Sequence, residues 1–454
     1  MRSVRLVGLF LVFIGAAALA KDNPVPLINQ PLVPDVVKPG SGGFTLTVNG
    51  TGFAPTAVVD WNGSPRITHV VSQSQLKATI IASDVAKAGT ARVKVVNPPP
   101  GGGSSNPVYF PIRHSSSSVV FDPVNLATLP SPGVVTVRDF NNDGNLDVAV
   151  GLREKPGGRV LVYLGNGDGT FRAPIKTQTA VPADTILAAD INNDGKVDIV
   201  VANSKSDGNM QVLLGNGDGT FVQKAPFVPG PSDNLSLADF NGDGKLDLYA
   251  GFFGKYGNNF SVFLGNGDGT FASTPVFTGF DAGTPAIGDF NGDGILDMAV
   301  SSGVAVDVFL GNGDGTFAGP MTYYVPIYYS ITAADVNGDG KLDLITDGVS
   351  VLLGNGDGTF TDNGGERTEN YAYNILVGDF NGDGKLDVAF QKWQYSELVM
   401  LLGNGDGTFE NPLTFTGSGV GNFFTQLAVG DFNNDGKLDL VDSSSIPTVF
   451  LQGR

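Results

Sequence analysis

The chain has 454 residues, no cysteine, and 45 acidic against 27 basic side chains, for a formal net charge of −18. Disulfide stapling and cysteine nucleophiles are thereby excluded, and so is the basic footprint that a nucleic-acid binder needs. Only two histidines occur, His69 and His114, which leaves little material for a histidine-dependent active site.

At the amino terminus Arg2 and Arg5 precede an apolar run over residues 6–14, and small residues follow, ending at Ala18, Leu19 and Ala20 before Lys21. This order predicts a cleaved secretory signal over residues 1–20. The run is short of the roughly 20 apolar residues that span a bilayer, so a secreted or surface protein with no membrane span after cleavage is expected.

Residues 23–113 alternate apolar and polar side chains in short runs, for example Phe44, Leu46 and Val48, or Leu76, Ala78 and Ile80, broken by Gly, Pro and Asn turns. That pattern predicts a small β-sandwich. With Thr51-Gly52-Phe53, the Trp61-Asn62-Gly63 turn, Ala88-Gly89-Thr90 and the glycine-rich stretch 101–106, the segment resembles the immunoglobulin-like IPT/TIG family. These motifs are turns and carry no chemistry. Residues 114–118 read as a polar linker.

Beyond the linker one phrase, D-x-N-x-D-G-x-x-D, recurs seven times, starting at Asp139, Asp190, Asp239, Asp289, Asp335, Asp379 and Asp431. A spacing near 50 residues is too long for a helical solenoid and suits a four-stranded propeller blade. The side-chain oxygens fall in seven sets: Asp139, Asn141, Asp143 and Asp147; Asp190, Asn192, Asp194 and Asp198; Asp239, Asn241, Asp243 and Asp247; Asp289, Asn291, Asp293 and Asp297; Asp335, Asn337, Asp339 and Asp343; Asp379, Asn381, Asp383 and Asp387; Asp431, Asn433, Asp435 and Asp439. Ligands at positions 1, 3 and 5, a backbone carbonyl at 7 and Gly at 6 are the grammar of a calcium-wrapping loop. Here the last carboxylate comes at position 9, which fits a return into a strand. Position 7 holds Asn145, Lys196, Lys245, Ile295, Lys341, Lys385 and Lys437, which share only a carbonyl as a ligand. An oxygen-only donor set favours a hard cation, so about seven structural calcium ions are expected.

Each repeat reads as apolar strand, aspartate loop, second strand, third strand and then a G-N-G-D-G-T-F phrase, which occurs six times from Gly165 to Gly403. Asn-Gly and Asp-Gly tolerate positive φ, so the phrase predicts a tight hairpin into an outer strand from Thr170, Thr220 and their counterparts, and no second metal site. The seventh repeat stops one strand short, whereas residues 119–129 look like an outer strand with no repeat of their own. Their pairing would close a ring over residues 119–454. The expected fold is all-β: a seven-bladed propeller preceded by a small immunoglobulin-like β-sandwich.

These repeats resemble the FG-GAP/VCBS family, whose seven-bladed propellers include the head of integrin α chains and some fungal lectins. The resemblance implies calcium on the seven sets above; it does not carry integrin ligand binding with it, since that needs a partner subunit, and the expected binding or adhesion role rests on the aromatic connections instead. Metal loops and G-N-G-D-G-T-F hairpins would share one face. Aromatic residues concentrate on the other connections, Phe252, Tyr256, Trp393 and Tyr395 between strands 2 and 3, and Tyr324, Tyr328 and Tyr371 near the 4-to-1 connections. Such side chains suit stacking on sugars or anchoring a protein, so the expected partner is a carbohydrate or protein, with no nucleic acid. No catalytic constellation is expected. The alternative, a polysaccharide-degrading lyase or glycosidase, would draw on Asp207, Asp233, Asp281, Glu369 and Glu397, whose spacing singles out no pair.

Overall fold

The computed structural model describes residues 22–453 except 117–118, 127–132, 155–156, 205–207, 231, 233, 253–258, 281–282, 326, 328–329, 365–371, 393–396, 417–425 and 444–445. Regular structure among the described residues is β-strand, apart from one 3-10 turn at Ala82–Val85. The expected signal segment lies outside the described residues.

The amino-terminal part has two sheets. One contains Leu27–Ile28, Phe44–Thr51, Gln75–Ile80 and Thr68–Ser72, and the other Val58–Trp61, Ser64–Pro65, Gly89–Asn97, Gly103–Ser104 and Val108–Ile112. Period-two alternation along Gly89–Asn97 buries Ala91, Val93 and Val95 against Trp61, Phe110, Leu46 and Leu76. It turns Arg92 and Lys94 the other way.

Among the described residues seven four-stranded antiparallel sheets follow. The first runs Val134–Arg138, Asp147–Glu154, Gly157–Tyr163 and Ile175–Thr179, inner to outer. The inner strands of the next six are Thr185–Ala189, Asn234–Ala238, Ala286–Gly288, Ile331–Ala334, Ala372–Gly378 and Leu427–Gly430. The last sheet takes three strands from its own repeat and a fourth from the other end of the region: Phe121–Asn125 pairs antiparallel with Thr448–Gln452, Phe121 opposite Gln452. Outer strands begin directly after the hairpin only at Phe221–Gln223 and Phe360–Asp362. In the first, third, fourth and sixth sheets a single bridge such as Gly165 to Phe171 comes first, and the strand starts several residues later. The expected start at Thr170 is therefore early there.

What holds the ring together is apolar packing between adjacent sheets. Each neighbouring pair shares one buried cluster, including the last with the first, where Phe432, Val441, Val449 and Leu451 meet Val135, Val148, Val150 and Leu161. Position 2 of every aspartate loop supplies an anchor: Phe140, Ile191, Phe240, Phe290, Val336, Phe380 and Phe432 are all buried. Burying one such side chain stabilises by about 1.5–3 kcal/mol, so every loop is pinned to the core at its root.

Candidate metal centres

In the first loop Asp139 accepts from the amides of Asp143 and Gly144, both at 3.1 Å, and Asn141 Oδ1 accepts from Asp143 N at 3.0 Å. Asp143 Oδ1 accepts from Asn145 N at 2.9 Å, which closes the turn. The same amide pattern repeats in the other six loops. Four position-7 lysines also lean over position 5, with Lys245 Nζ 3.3 Å from Asp243, and Lys196, Lys341 and Lys437 within 3.9 Å of Asp194, Asp339 and Asp435. Side chains at position 7 thus screen the loop, a role the reading of that position as a carbonyl ligand alone misses. Exposed pairs of this kind contribute at most about 1 kcal/mol.

Position 9 behaves differently. Asp147 is fully buried, accepting from Phe140 N through Oδ2 and from Gly165 N through Oδ1, both at 2.8 Å. One carboxylate therefore ties the aspartate loop to the G-N-G-D-G-T-F hairpin and places both on one face. Asp198, Asp247, Asp297, Asp343 and Asp387 do the same in their sheets. In the seventh, which has no hairpin, Asp439 takes Gln452 N at 2.7 Å instead. Burial pushes the Asp147 carboxyl up to about 7, with Asp139 and Asp143 adding to the rise against the two amide bonds. For the same reason Asp247, Asp297 and Asp387 reach about 7, Asp198 and Asp343 about 6, and Asp439 about 8.

Each loop thus holds a buried carboxyl whose ionisation is opposed by two neighbouring carboxylates, with only oxygen donors around it. That chemistry fits a hard divalent cation, held by the side chains at positions 1, 3, 5 and 9 and the position-7 carbonyl. Among the described residues no three carboxyl groups converge at metal-holding distance, and the side chains are turned to loop amides.

The amino-terminal sandwich sits on this loop face. Val25 N donates to Asp239 Oδ2 at 2.8 Å, Arg92 Nη1 to Asp139 Oδ2 at 3.0 Å, Arg113 Nη2 to the Asp379 carbonyl at 2.8 Å, and Asp335 N to the Gln30 carbonyl at 3.1 Å. Gly244, at φ +81°, leaves no room for a Cβ, which would fall 2.4 Å from the Asn23 carbonyl oxygen. Nothing in the turn motifs of the sandwich announces this docking; the outward Arg92 and Lys94 of one strand gain their meaning only from the acidic ring they face.

Of the aromatic residues singled out for the opposite face, Tyr256, Tyr328, Tyr371, Trp393 and Tyr395 lie outside the described residues. Phe252 ends the strand Asp247–Phe252, and Tyr324 is 83% exposed. Its neighbour Tyr323 packs edge-on to Phe360 at 5.8 Å, and its hydroxyl accepts from Phe360 N, so that tyrosine is structural. Asp207, Asp233, Asp281 and Glu369 also lie outside the described residues, and Glu397 pairs with Lys392 at 3.7 Å.

Comparison with known proteins gives two family matches. The FG-GAP-like repeat matches at residues 139–201, 190–250, 239–300, 289–346 and 391–441, together more than half of the chain, and the IPT/TIG domain matches residues 31–112. No curated protein matches. Among solved structures, a lectin of Agrocybe aegerita that recognises non-reducing terminal N-acetylglucosamine is 22% identical, with 79% of this chain and 96% of that one covered and a TM-score of 0.48. An auxiliary nutrient binding protein of Bacteroides ovatus is 13% identical, with 95% and 98% covered and a TM-score of 0.42.

Proposed function

The chain belongs to the FG-GAP-like repeat family, with an IPT/TIG domain before the repeats, and on that premise we propose that it is an exported, calcium-stapled binding module without catalytic activity. Its partner is a carbohydrate or a protein, taken on the propeller face opposite the aspartate loops. One observation carries the reading: seven turns each gather four side-chain oxygen donors, and in each the position-9 carboxyl is buried, with its charged form disfavoured first by burial and then by two neighbouring carboxylates. Calcium, when bound, would neutralise that charge and hold each loop shut. The sandwich covers the loop face through Arg92, Arg113 and Val25, which leaves the opposite connections for a partner. No helix among the described residues is long and apolar enough to cross a membrane.

The test is a glycan array and a cell-surface binding assay, each run with calcium and with EGTA, together with metal analysis of the purified protein. Saturable, calcium-dependent capture that is lost on replacing Trp393 and Tyr395 with alanine, at unchanged thermal stability, is the expected result. Turnover of a polysaccharide, or protein free of alkaline-earth metal and indifferent to EGTA, refutes it.

A further inference from the structure

A chamber of about 330 Å³ lies between the sandwich and the mouth of the ring, where Arg92 and Lys94 of the strand Gly89–Asn97 face Arg138, the last residue of the first inner strand. Arg138 breaks the repeat. The residue at that register is Ala189, Ala238, Gly288, Ala334, Gly378 and Gly430 in the other sheets. Small residues suit the crowding there: a Cβ on Gly378 would fall 2.7 Å from Leu438 Cδ1, and one on Gly430 would fall 2.4 Å from Leu146 Cδ1. A long cation placed at this one register is not explained by blade packing.

Nor is it explained by ion pairing. Asp139, Asp190 and Asp239 also line the chamber, but each of their carboxyl oxygens already accepts at least one bond from a loop amide, from Val25 N or from Arg92. Among the described residues the Lys94 ammonium makes no hydrogen bond or ion pair, and the Arg138 guanidinium donates only to the Val137 carbonyl. Burial, and the cationic neighbours Arg92 and Arg138, push the Lys94 ammonium down, with Asp60 and Asp139 acting against them. The chamber therefore offers two open cationic donor groups beside one paired arginine, with Tyr109 as an aromatic wall. Ser104 and Asn142, both exposed, also line it, so solvent reaches it. Its size is at the lower end of the roughly 300–1,000 Å³ of small-molecule sites, enough for a single ring and not for a polymer.

We propose that this chamber binds a small oxyanion, a carboxylate or sulfate on a ligand of about one sugar ring, anchored by Lys94 and Arg138. A planar guanidinium takes such a group in two parallel bonds, and an ammonium adds a point charge. The site lies on the loop side of the ring, separate from the opposite face.

Isothermal titration of the full chain with D-galacturonate, neutral D-galactose and inorganic sulfate tests it, alongside Arg138→Ala and Lys94→Met. Saturable binding of galacturonate without binding of galactose is expected, weakened at least about tenfold by either substitution, the size expected for loss of a charged hydrogen bond. Lys94→Met removes a charge held against burial, so its thermal transition stays in place and reports that the fold is intact. Sulfate binding with the same sensitivity means the oxyanion alone is read; galacturonate binding without sulfate means the ring is read as well, and both support the site. Absence of saturable binding by either anion, equal binding of galactose, or affinity unchanged in both variants overturns it.

Discussion

Arg113→Met should cost about 1–3 kcal/mol. Arg113 and Asp379 are 4% and 5% exposed, with 3.6 Å between Nη2 and Oδ1, and the same nitrogen donates to the Asp379 carbonyl at 2.8 Å. Removing one partner of a buried pair costs about 3–5 kcal/mol, and the carbonyl bond adds about 1. Two features reduce the sum. Asp379 still accepts from Gly382, Asp383 and Gly384, which puts the pair at the low end, and Arg113 Nε is buried without an acceptor, so its removal returns about 1–3 kcal/mol. Arg92→Met is the control: Arg92 is 27% exposed in its pair with Asp139, and its loss should stay under about 1 kcal/mol. Urea unfolding of both variants measures the difference. Burial pushes Asp379 up to about 6 even with Arg113 beside it, and without the arginine it goes higher. The folded variant then holds a proton that the unfolded chain releases near 4. Its penalty relative to the parent must therefore grow as pH rises above 6 and level off at its smallest below 6, where both folded forms hold the proton. Equal small losses in the two variants, or a penalty that grows on acidification, would refute this account of the docking.

Three further outcomes follow from the same contacts. Asp247→Asn keeps one of two buried acceptors and sets its amide against the other N–H, a loss of about 2–4 kcal/mol in calcium. In EGTA removal of one crowded negative charge offsets most of that loss, so identical urea midpoint shifts in the two buffers would show that no metal is involved. The metal-free protein should lose stability between pH 5 and 8, because Asp147 at about 7 and Asp439 at about 8 stay protonated in the fold after the unfolded chain has ionised. Calcium should flatten that slope, and a melting temperature that climbs over the same range in EGTA contradicts the sign. Phe121→Ala strips the closing strand of its edge contacts to Phe415 at 5.1 Å and Phe450 at 6.4 Å, and should cost about 2 kcal/mol with faster unfolding. An unchanged unfolding rate would mean that the terminal strand does not hold the ring.

Repeat grammar carried most of the architecture. Apolar positions 2 and 8 around each aspartate turn, a second hairpin phrase at constant offset and a final repeat lacking one strand are all periodic, and periodicity survives without coordinates. The division of labour within a loop is not periodic information. Asp143 and Asp147 look alike in sequence, yet one closes its own turn and the other is buried between two loops, because Gly165 N is brought to it by a strand pairing 18 residues away. Four of the six outer strands that follow a hairpin start later than the phrase predicts, for a related reason. Phe171 forms only a bridge to Gly165, and regular pairing waits until Ile175, where alternation against Gly157–Tyr163 resumes.

Docking of the sandwich was the least legible feature, and its cause is electrostatic. Asp139, Asp190, Asp239, Asp289, Asp335, Asp379 and Asp431 each follow an inner strand directly, so ring closure gathers their charge around one mouth. A surface placed over that mouth must bring compensating groups, and the sandwich brings Arg92, Lys94, Arg113 and the Val25 amide. In the linear chain those groups are unremarkable: two alternate residues of one strand, one residue at the end of another and a backbone N–H. Only the ring makes them a set, and only Arg138, the cation on the ring's own side, was visible as an exception to Ala or Gly at its register. A departure from repeat consensus at an otherwise crowded position is thus the sequence signal to seek when a propeller carries an accessory domain, because blade packing supplies no reason for it.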